Sequence, residues 1–336
     1  MEQPSPKIDH DAILVEAARR YELEVDHLQP LMVDEDTHVY AYEHAGRGFV
    51  LKWTTSAEKS AEAISAEFDW VNYLADHGVP VCRAVPSPRG KLVEVIAAVD
   101  GYVSVVAQER AEGQRPAGSA LNAGLFRTWG QVMGRMHAVA KQYRPASSSA
   151  IRSWHESEHL VRAYIPADQT LVLTRYDALL QQLHALPRDR DTYGLVHGDF
   201  QANNFVISAG KLLVFDFGAC EYNWFVSDIA VALYFHLWEP HPGQDNRSFA
   251  ADFLESLLAG YERENTLDTF WRGQLPLFLK LQEMAVYIAI NRYNRLADGG
   301  DLAHIPARHR NLLQRYRHHI EQDIPYIDAA YNPWQS

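Results

Sequence analysis

Residues 195–216 read Leu-Val-His-Gly-Asp-Phe-Gln-Ala-Asn-Asn-Phe-Val-Ile-Ser-Ala-Gly-Lys-Leu-Leu-Val-Phe-Asp, a polar loop set between apolar runs. Leu195 and Val196 lead into His197-Gly198-Asp199. Residues 205–207 and 212–215 are β-prone and are separated by Ser208-Ala209-Gly210-Lys211, a turn-rich tetrad. The pattern predicts a hairpin with Asp199 and Asn204 in the loop that enters it and Asp216 just past its second strand. A loop carboxylate can accept a hydroxyl proton, whereas an amide oxygen and a second carboxylate are the hard donors that Mg²⁺ prefers. Asp199 is therefore read as a base, and Asn204 and Asp216 as metal ligands, for moving a phosphoryl group from Mg-ATP to a hydroxyl. Asp and Asn are also ordinary turn formers, and an isolated Asp-x-x-x-x-Asn would be read that way. His-Gly before the loop and Asp216-Phe217-Gly218 after the strand favour the chemical reading.

The same block resembles the catalytic core of the aminoglycoside phosphotransferase and choline kinase superfamily, whose pattern is His-Gly-Asp-x-x-x-x-Asn followed by an apolar strand ending in Asp. Its surroundings, with Tyr193-Gly194 before it and Trp224-Phe225 after, are most similar to the homoserine-kinase-like branch. The resemblance implies an α+β, two-lobed protein-kinase-like fold, with a small antiparallel-sheet N-lobe and a larger, mainly helical C-lobe. It implies that His197 supports the loop. It also implies that Asp228, in Ser227-Asp228-Ile229-Ala230, is structural and braces it. ATP and Mg²⁺ are the expected cofactors. The expected division is 1–107 for the N-lobe, 108–113 for the interlobe linker and 114–336 for the C-lobe.

Upstream, residues 13–21 read as a short amphipathic helix, and 31–33, 38–43 and 48–53 as strands. Lys52 closes an apolar strand, where a kinase places the cation that meets the α and β phosphates. A strand-end lysine is otherwise a solvated edge residue. Glu67, fifteen residues on, lies in a helix predicted over 61–75 and matches the family's Glu-x-Phe beginning. An ion pair from Glu67 to Lys52 is expected, with Glu58 and Glu62 as competitors. The first hairpin turn, Val33-Asp34-Glu35-Asp36-Thr37-His38, has no glycine; the family uses a small polar residue such as Thr37 in its place. Its three acids would repel a triphosphate. Residues 93–98 and 102–107 pair as a hairpin leading into Gln108-Glu109-Arg110-Ala111-Glu112-Gly113. By resemblance that stretch is the linker, and the backbone of Gln108, Glu109 and Ala111 would receive adenine. Local sequence alone reads it equally as an ordinary strand exit.

In the second half, helices are predicted over 123–141, 171–186, 225–238, 248–265, 276–295 and 307–323. Gly130 and Gly134 are expected to allow close packing, and His137 to be a core or helix-end residue rather than a ligand. Residues 219–225 read as a run into the helix that carries Asp228. By resemblance, Glu221, Glu239 or Glu283 could bind a substrate amine; taken singly, each reads as a solvated acid.

Composition bounds the rest. A chain of 336 residues with 47% apolar content can bury a large core, and its net charge of −12 argues against a nucleic-acid footprint while agreeing with a cationic substrate. Cys82 and Cys220 have no metal-ligand spacing, and Cys220 reads as a small buried residue. No stretch approaches 18 uncharged apolar residues, so no membrane partner is expected and a cytoplasmic location is. Residues 145–149, Pro-Ala-Ser-Ser-Ser, read as a loop. The expected protein is an ATP-dependent kinase of a small-molecule hydroxyl, monomeric or homodimeric. A bacterial Ser/Thr protein kinase is the alternative, although the eleven residues between Asp216 and Asp228 leave no room for an activation segment. A catalytically silent nucleotide-binding protein would be expected to lack Asp199 or a metal ligand, and this chain keeps both.

Overall fold

The chain is described by a computed structural model covering residues 9–328 apart from 35, 146–149, 157, 239–243, 301–302 and 304. Glu35, Glu239 and most of the 145–149 loop lie outside the described residues. Contacts group the chain into one unit of Met1–Pro116, Gln142–Arg152 and Asn203–Gly218 and another of Ala117–Lys141, Ser153–Ala202 and Ala219–Ser336.

In the first unit, strands β1 (Gln29–Val33), β2 (Thr37–His44), β3 (Arg47–Thr55), β4 (Ala84–Val85), β5 (Glu94–Ala97) and β6 (Tyr102–Glu109) form one sheet. The order is β1-β2-β3-β6-β4, with β5 also on β6, and every pairing is antiparallel. Successive side chains on a strand face opposite ways. Phe49, Leu51 and Trp53 enter a core with Val103, Val105 and Ala107 of β6, capped by Ile13 and Ala17 of helix α1 (His10–Arg20) and by Tyr21 just after it. Val50 and Lys52 therefore face away from that core. Each of the larger buried side chains contributes about 1.5–3 kcal/mol of transfer free energy. Helix α2 (Ala61–Asp76) begins where the Ser60 hydroxyl accepts the Ala63 amide, and it buries Ile64, Glu67, Phe68, Trp70 and Val71. The predicted hairpin of the loop region forms as β8 (Phe205–Ser208) and β9 (Lys211–Val214), with Phe205 opposite Val214.

The second unit is mainly helical. It contains α3 (Ala123–Ala140), α4 (Glu158–Ala163), α5 (Thr170–His184), α6 (Phe225–His236), α7 (Asn246–Tyr261), α8 (Thr269–Tyr293) and α9 (Ala307–Gln322). Helix α3 packs on α7 through its glycines. A Cβ at Gly130 would overlap the Leu257 carbonyl, and one at Gly134 would meet that of Tyr261 at 2.5 Å. Helix α6 is apolar nearly all round and buried accordingly. Helix α8 begins at Thr269 rather than at Pro276, because Asp268 caps the Trp271 amide and buried Trp271 anchors the first turn ahead of the proline. Strand β7 (Tyr193–Val196) pairs antiparallel with β10 (Glu221–Trp224), from Glu221 opposite Val196 to Trp224 opposite Tyr193. Residues 219–225, read above as a plain run into a helix, thus supply a strand that holds the approach to His197.

Candidate active site

The alternation of β3 puts Lys52 on the wall of a cavity of about 410 Å³, together with Val39, Val50, Gln108, Glu109, Ala111, Val206, Phe215 and Asp216. This volume is in the range of small-molecule sites. Gln108 sits opposite Val50 on β3 and Ala84 on β4, so the chain reaches 109–111 from the middle of the sheet. The Glu109 amide is committed to the Arg83 carbonyl at 2.8 Å and the Arg110 amide to that of Gly48 at 3.0 Å. The Glu109 carboxylate also pairs with Arg47 at 2.5 Å, so this side chain ties the end of β6 to the start of β3. Leu31 and Met32 of β1 add an apolar rim that the sequence did not single out. Thr37 lines a second cavity, of about 170 Å³, with Lys52, Lys59, Glu67, Ser104 and Gly218.

One expectation is corrected here. Glu67 is buried, and its partner is Lys59, whose ammonium lies 2.5 Å from the carboxylate. Lys52 is paired instead with Asp216, Nζ to Oδ1 at 3.6 Å. The turn after β3 causes the exchange. The Glu58 and Lys59 amides fold back on the Thr55 carbonyl at 3.2 and 3.1 Å, which carries the Lys59 side chain over α2. Lys59 was not identified from sequence; the signal available was a second cation seven residues beyond Lys52, on the near side of the same helix.

Asp216 follows β9 with φ +63°, a left-handed conformation that Asp tolerates better than most residues, and its side chain is open to solvent. The Phe215 amide donates to the Asn204 carbonyl at 3.0 Å, extending the hairpin register by one pair. Asn204 and Asp216 are thereby held at the same end of the hairpin. The donor set is an amide oxygen and a carboxylate, and no group of three or more His, Cys, Asp or Glu side chains gathers among the described residues. Two hard oxygen donors suit Mg²⁺, which keeps several waters and takes further oxygens from phosphates.

In the second unit the loop after β7 is organised by Asp228. Its carboxylate accepts the His197 and Gly198 amides, both at 2.9 Å, and the His137 ring Nε2–H at 3.1 Å. The network assigns the tautomer. Asn265 donates to the Tyr261 oxygen at 2.9 Å, and Tyr261 donates to His137 Nδ1 at 3.0 Å. Burial opposes the charge on Asp228, but the hydrogen bond from His137 and the His197 contacts outweigh it, so the carboxyl sits below its ordinary value. Gly198 adopts φ +79°, and a Cβ there would overlap the Ala219 carbonyl. The residue before Asp199 is glycine for both reasons. The Asp199 amide donates to His197 Nδ1 at 3.3 Å, and its Oδ1 accepts from Gln201 Nε2 at 2.8 Å. His197 itself stacks on Phe200 with centroids 5.3 Å apart.

The other candidates separate. Glu283 is not a solvated acid: it is buried beside His319, Oε1 to Nδ1 at 3.1 Å, in a cavity of about 90 Å³ with Lys280 and Asp323. Glu221 lies on β10 and accepts from Asn223 Nδ2 at 2.8 Å. Both cysteines are buried, and burial pushes the Cys82 thiol up to about 12, far from a reactive thiolate. No described helix is long and apolar enough to cross a membrane.

A nucleotide-sized cavity walled by a lysine–aspartate pair, in a chain that also carries a braced His-Gly-Asp loop, is the equipment of a kinase. Comparison with known proteins makes the class specific. A model described as the phosphotransferase enzyme family matches residues 27–267, and the chain belongs to that family. It is 34% identical over 324 residues to amicoumacin kinase of Bacillus subtilis (strain 168), covering 95% of this chain and 94% of that one. A solved structure of an amicoumacin kinase in complex with AMP-PNP, Ca²⁺ and Ami has a TM-score of 0.88 and 36% identity, covering 95% of each chain. A spectinomycin phosphotransferase structure shares the fold, at TM-score 0.59 and 12% identity, over 94% of this chain and 99% of its own. The fold is thus the α+β, kinase-like one of this family, and the protein is an ATP-dependent phosphotransferase with a small-molecule acceptor.

Proposed function

We propose that the protein phosphorylates a hydroxyl of an amicoumacin-type, amine-bearing small molecule. The observation that carries this reading is the likeness to amicoumacin kinase along nearly the whole chain, at 34% identity over 95% of it. The net charge of −12 agrees with a cationic acceptor. Between Asp216 and Asp228 the chain is taken up by the Phe217–Ala219 turn, β10 and the start of α6, which leaves no separate segment for docking a protein acceptor.

In this reading 1–107 is the nucleotide lobe, 108–113 the linker and 114–336 the lobe that carries the catalytic loop and acceptor site. Adenine meets the backbone of Gln108, Glu109 and Ala111. The Glu109 and Arg110 amides are already bonded to Arg83 and Gly48 and so are not the groups that read the base. Lys52 positions the phosphates, with Thr37 at the hairpin above them. Asn204 and Asp216 hold Mg²⁺, which neutralises phosphate charge when bound. Asp199 orients the acceptor hydroxyl and takes its proton, on a backbone that His197 and Asp228 hold in shape. The protein works in the cytoplasm, where ATP is available.

The test is a phosphoryl-transfer screen with Mg-ATP and amicoumacin, aminoglycosides, amino alcohols and amino acids as acceptors, read by product mass. Acceptor-dependent ADP release with amicoumacin and a product heavier by one phosphate support the proposal. Transfer to another class with none to amicoumacin removes it.

A further inference from the structure

Lys59 is engaged with two groups that belong to different elements. Its ammonium lies 2.5 Å from Glu67 Oε2 on α2 and donates to the Gly218 carbonyl at 3.2 Å, two residues after Asp216. The lysine is held from behind as well. Its amide is bonded to the Thr55 carbonyl at 3.1 Å, and the Thr55 hydroxyl donates to Asp36 Oδ1 at 2.6 Å. The Glu67 side chain is only 4% exposed, and Lys59 is the cation paired with it. In the same 170 Å³ cavity, buried Ser104 presents a hydroxyl with no hydrogen-bond partner, and Lys52 forms part of the lining. Two lysines thus face one buried carboxylate, and only Lys59 takes it.

We infer that Lys59 is a positioning residue for the metal-binding end of the hairpin: through Glu67 and the Gly218 carbonyl it pins the 216–218 segment to α2 and leaves Lys52 to Asp216 and the phosphates. This inference rests on the reading of Asp216 as a metal ligand. The backbone around Asp216 needs such a fastening, because its left-handed φ of +63° is stabilised on one side by the Phe215 amide on Asn204 and on the other by Lys59 on Gly218. Without Lys59 the buried Glu67 carboxylate has one other cation on the cavity wall, Lys52. Drawing Lys52 to Glu67 takes it from Asp216, 3.6 Å away in the present arrangement. The segment then loses its tether and Asp216 its charge partner together.

The experiment compares Lys59→Met, Lys59→Arg, Glu67→Gln and Asp216→Asn with the unaltered protein in two ways. Hydrogen–deuterium exchange of the nucleotide-free protein reads the tether: amides of 215–219 are expected to exchange about tenfold faster in Lys59→Met, the equivalent of losing one charge-assisted bond, with α3 and α7 unchanged. Calorimetric titration with AMP-PNP, with and without Mg²⁺, reads the metal: Lys59→Met should lose about tenfold of the Mg²⁺-dependent gain in affinity, and Lys59→Arg should restore it. Glu67→Gln breaks the tie to α2, so 215–219 should exchange faster in it too, but it leaves Lys52 no buried carboxylate to move to and should lose less of the Mg²⁺ gain than Lys59→Met; the double variant should regain part of the gain that Lys59→Met loses. Unchanged exchange at 215–219 together with an unchanged Mg²⁺ gain in Lys59→Met overturns the inference. Should that variant not fold, unchanged exchange at 215–219 in Glu67→Gln does so. Asp216→Asn separates the two levels. If it keeps the Mg²⁺ gain, the metal-site reading itself fails. If it loses the gain while Lys59→Met does not, only the role of Lys59 is wrong.

Discussion

The Asp228 carboxylate accepts the His197 amide at 2.9 Å while both residues are fully buried, so a backbone turn at the head of the loop is fixed by a charge 31 residues away. Replacing Asp228 by Ala leaves the His197 and Gly198 amides and the His137 ring without their acceptor. The expected cost is about 3–5 kcal/mol, as for other broken buried pairs, with transfer activity lost together with stability. Asp228→Asn keeps one oxygen and should lose less. Denaturant unfolding of the two variants beside the parent decides this, and equal stability of Asp228→Ala and the parent would contradict it.

Gly198→Ala meets two obstacles, a left-handed φ of +79° and a Cβ that would overlap the Ala219 carbonyl. A destabilisation of about 1–3 kcal/mol is expected, with kcat falling further than the KM for ATP rises, because the displaced residue adjoins Asp199. Steady-state kinetics and a melting curve on the same preparation check both parts.

Asp199→Asn preserves shape and removes basicity. Phosphoryl transfer should fall at least about a hundredfold while nucleotide affinity stays within about twofold of the parent. Unchanged turnover with the asparagine in place would remove Asp199 from the chemistry.

Burial raises the Glu283 carboxyl above its ordinary value of 4.5, outweighing the His319 hydrogen bond and the charges of His319 and Lys280. The folded protein therefore keeps this proton to higher pH than the unfolded chain does. The contribution of Glu283 to stability is largest below 4.5 and is lost as pH rises through the folded value. His319, Lys280, Asp323 and Arg175 line the same cavity and face it. Glu283→Gln removes the carboxyl alone. Its melting temperature relative to the parent should increase by a few degrees between pH 4.5 and about 8, and a constant difference would show that Glu283 does not titrate as described.

The residues that sequence reading located well lie close together in the chain. His197, Asp199, Asn204 and Asp216 belong to one loop and hairpin, and the alternation of β3 gives the face of Lys52 without reference to any other element. Partners brought together by tertiary folding were less legible. The spacing from Lys52 to Glu67 carries no information on the turn at 55–59 that delivers Lys59 to the same carboxylate. His137 reads from sequence as a core or helix-end residue, and its bond to Asp228 spans 91 positions. Glu283 looked like any acid on an amphipathic helix, and only the packing of α8 against α9 reveals that it is enclosed with His319.

The register of β3 ties manufacture to competence. Phe49, Leu51 and Trp53 alternate with Val50 and Lys52, so a slip of one position against β2 or β6 would drive the ammonium into the core and turn the indole toward the cavity. A mispaired sheet would be unstable and non-functional at once. Molecules that pass the cell's ordinary checks on folding have therefore also been screened, with no separate inspection, for a lysine on the phosphate side.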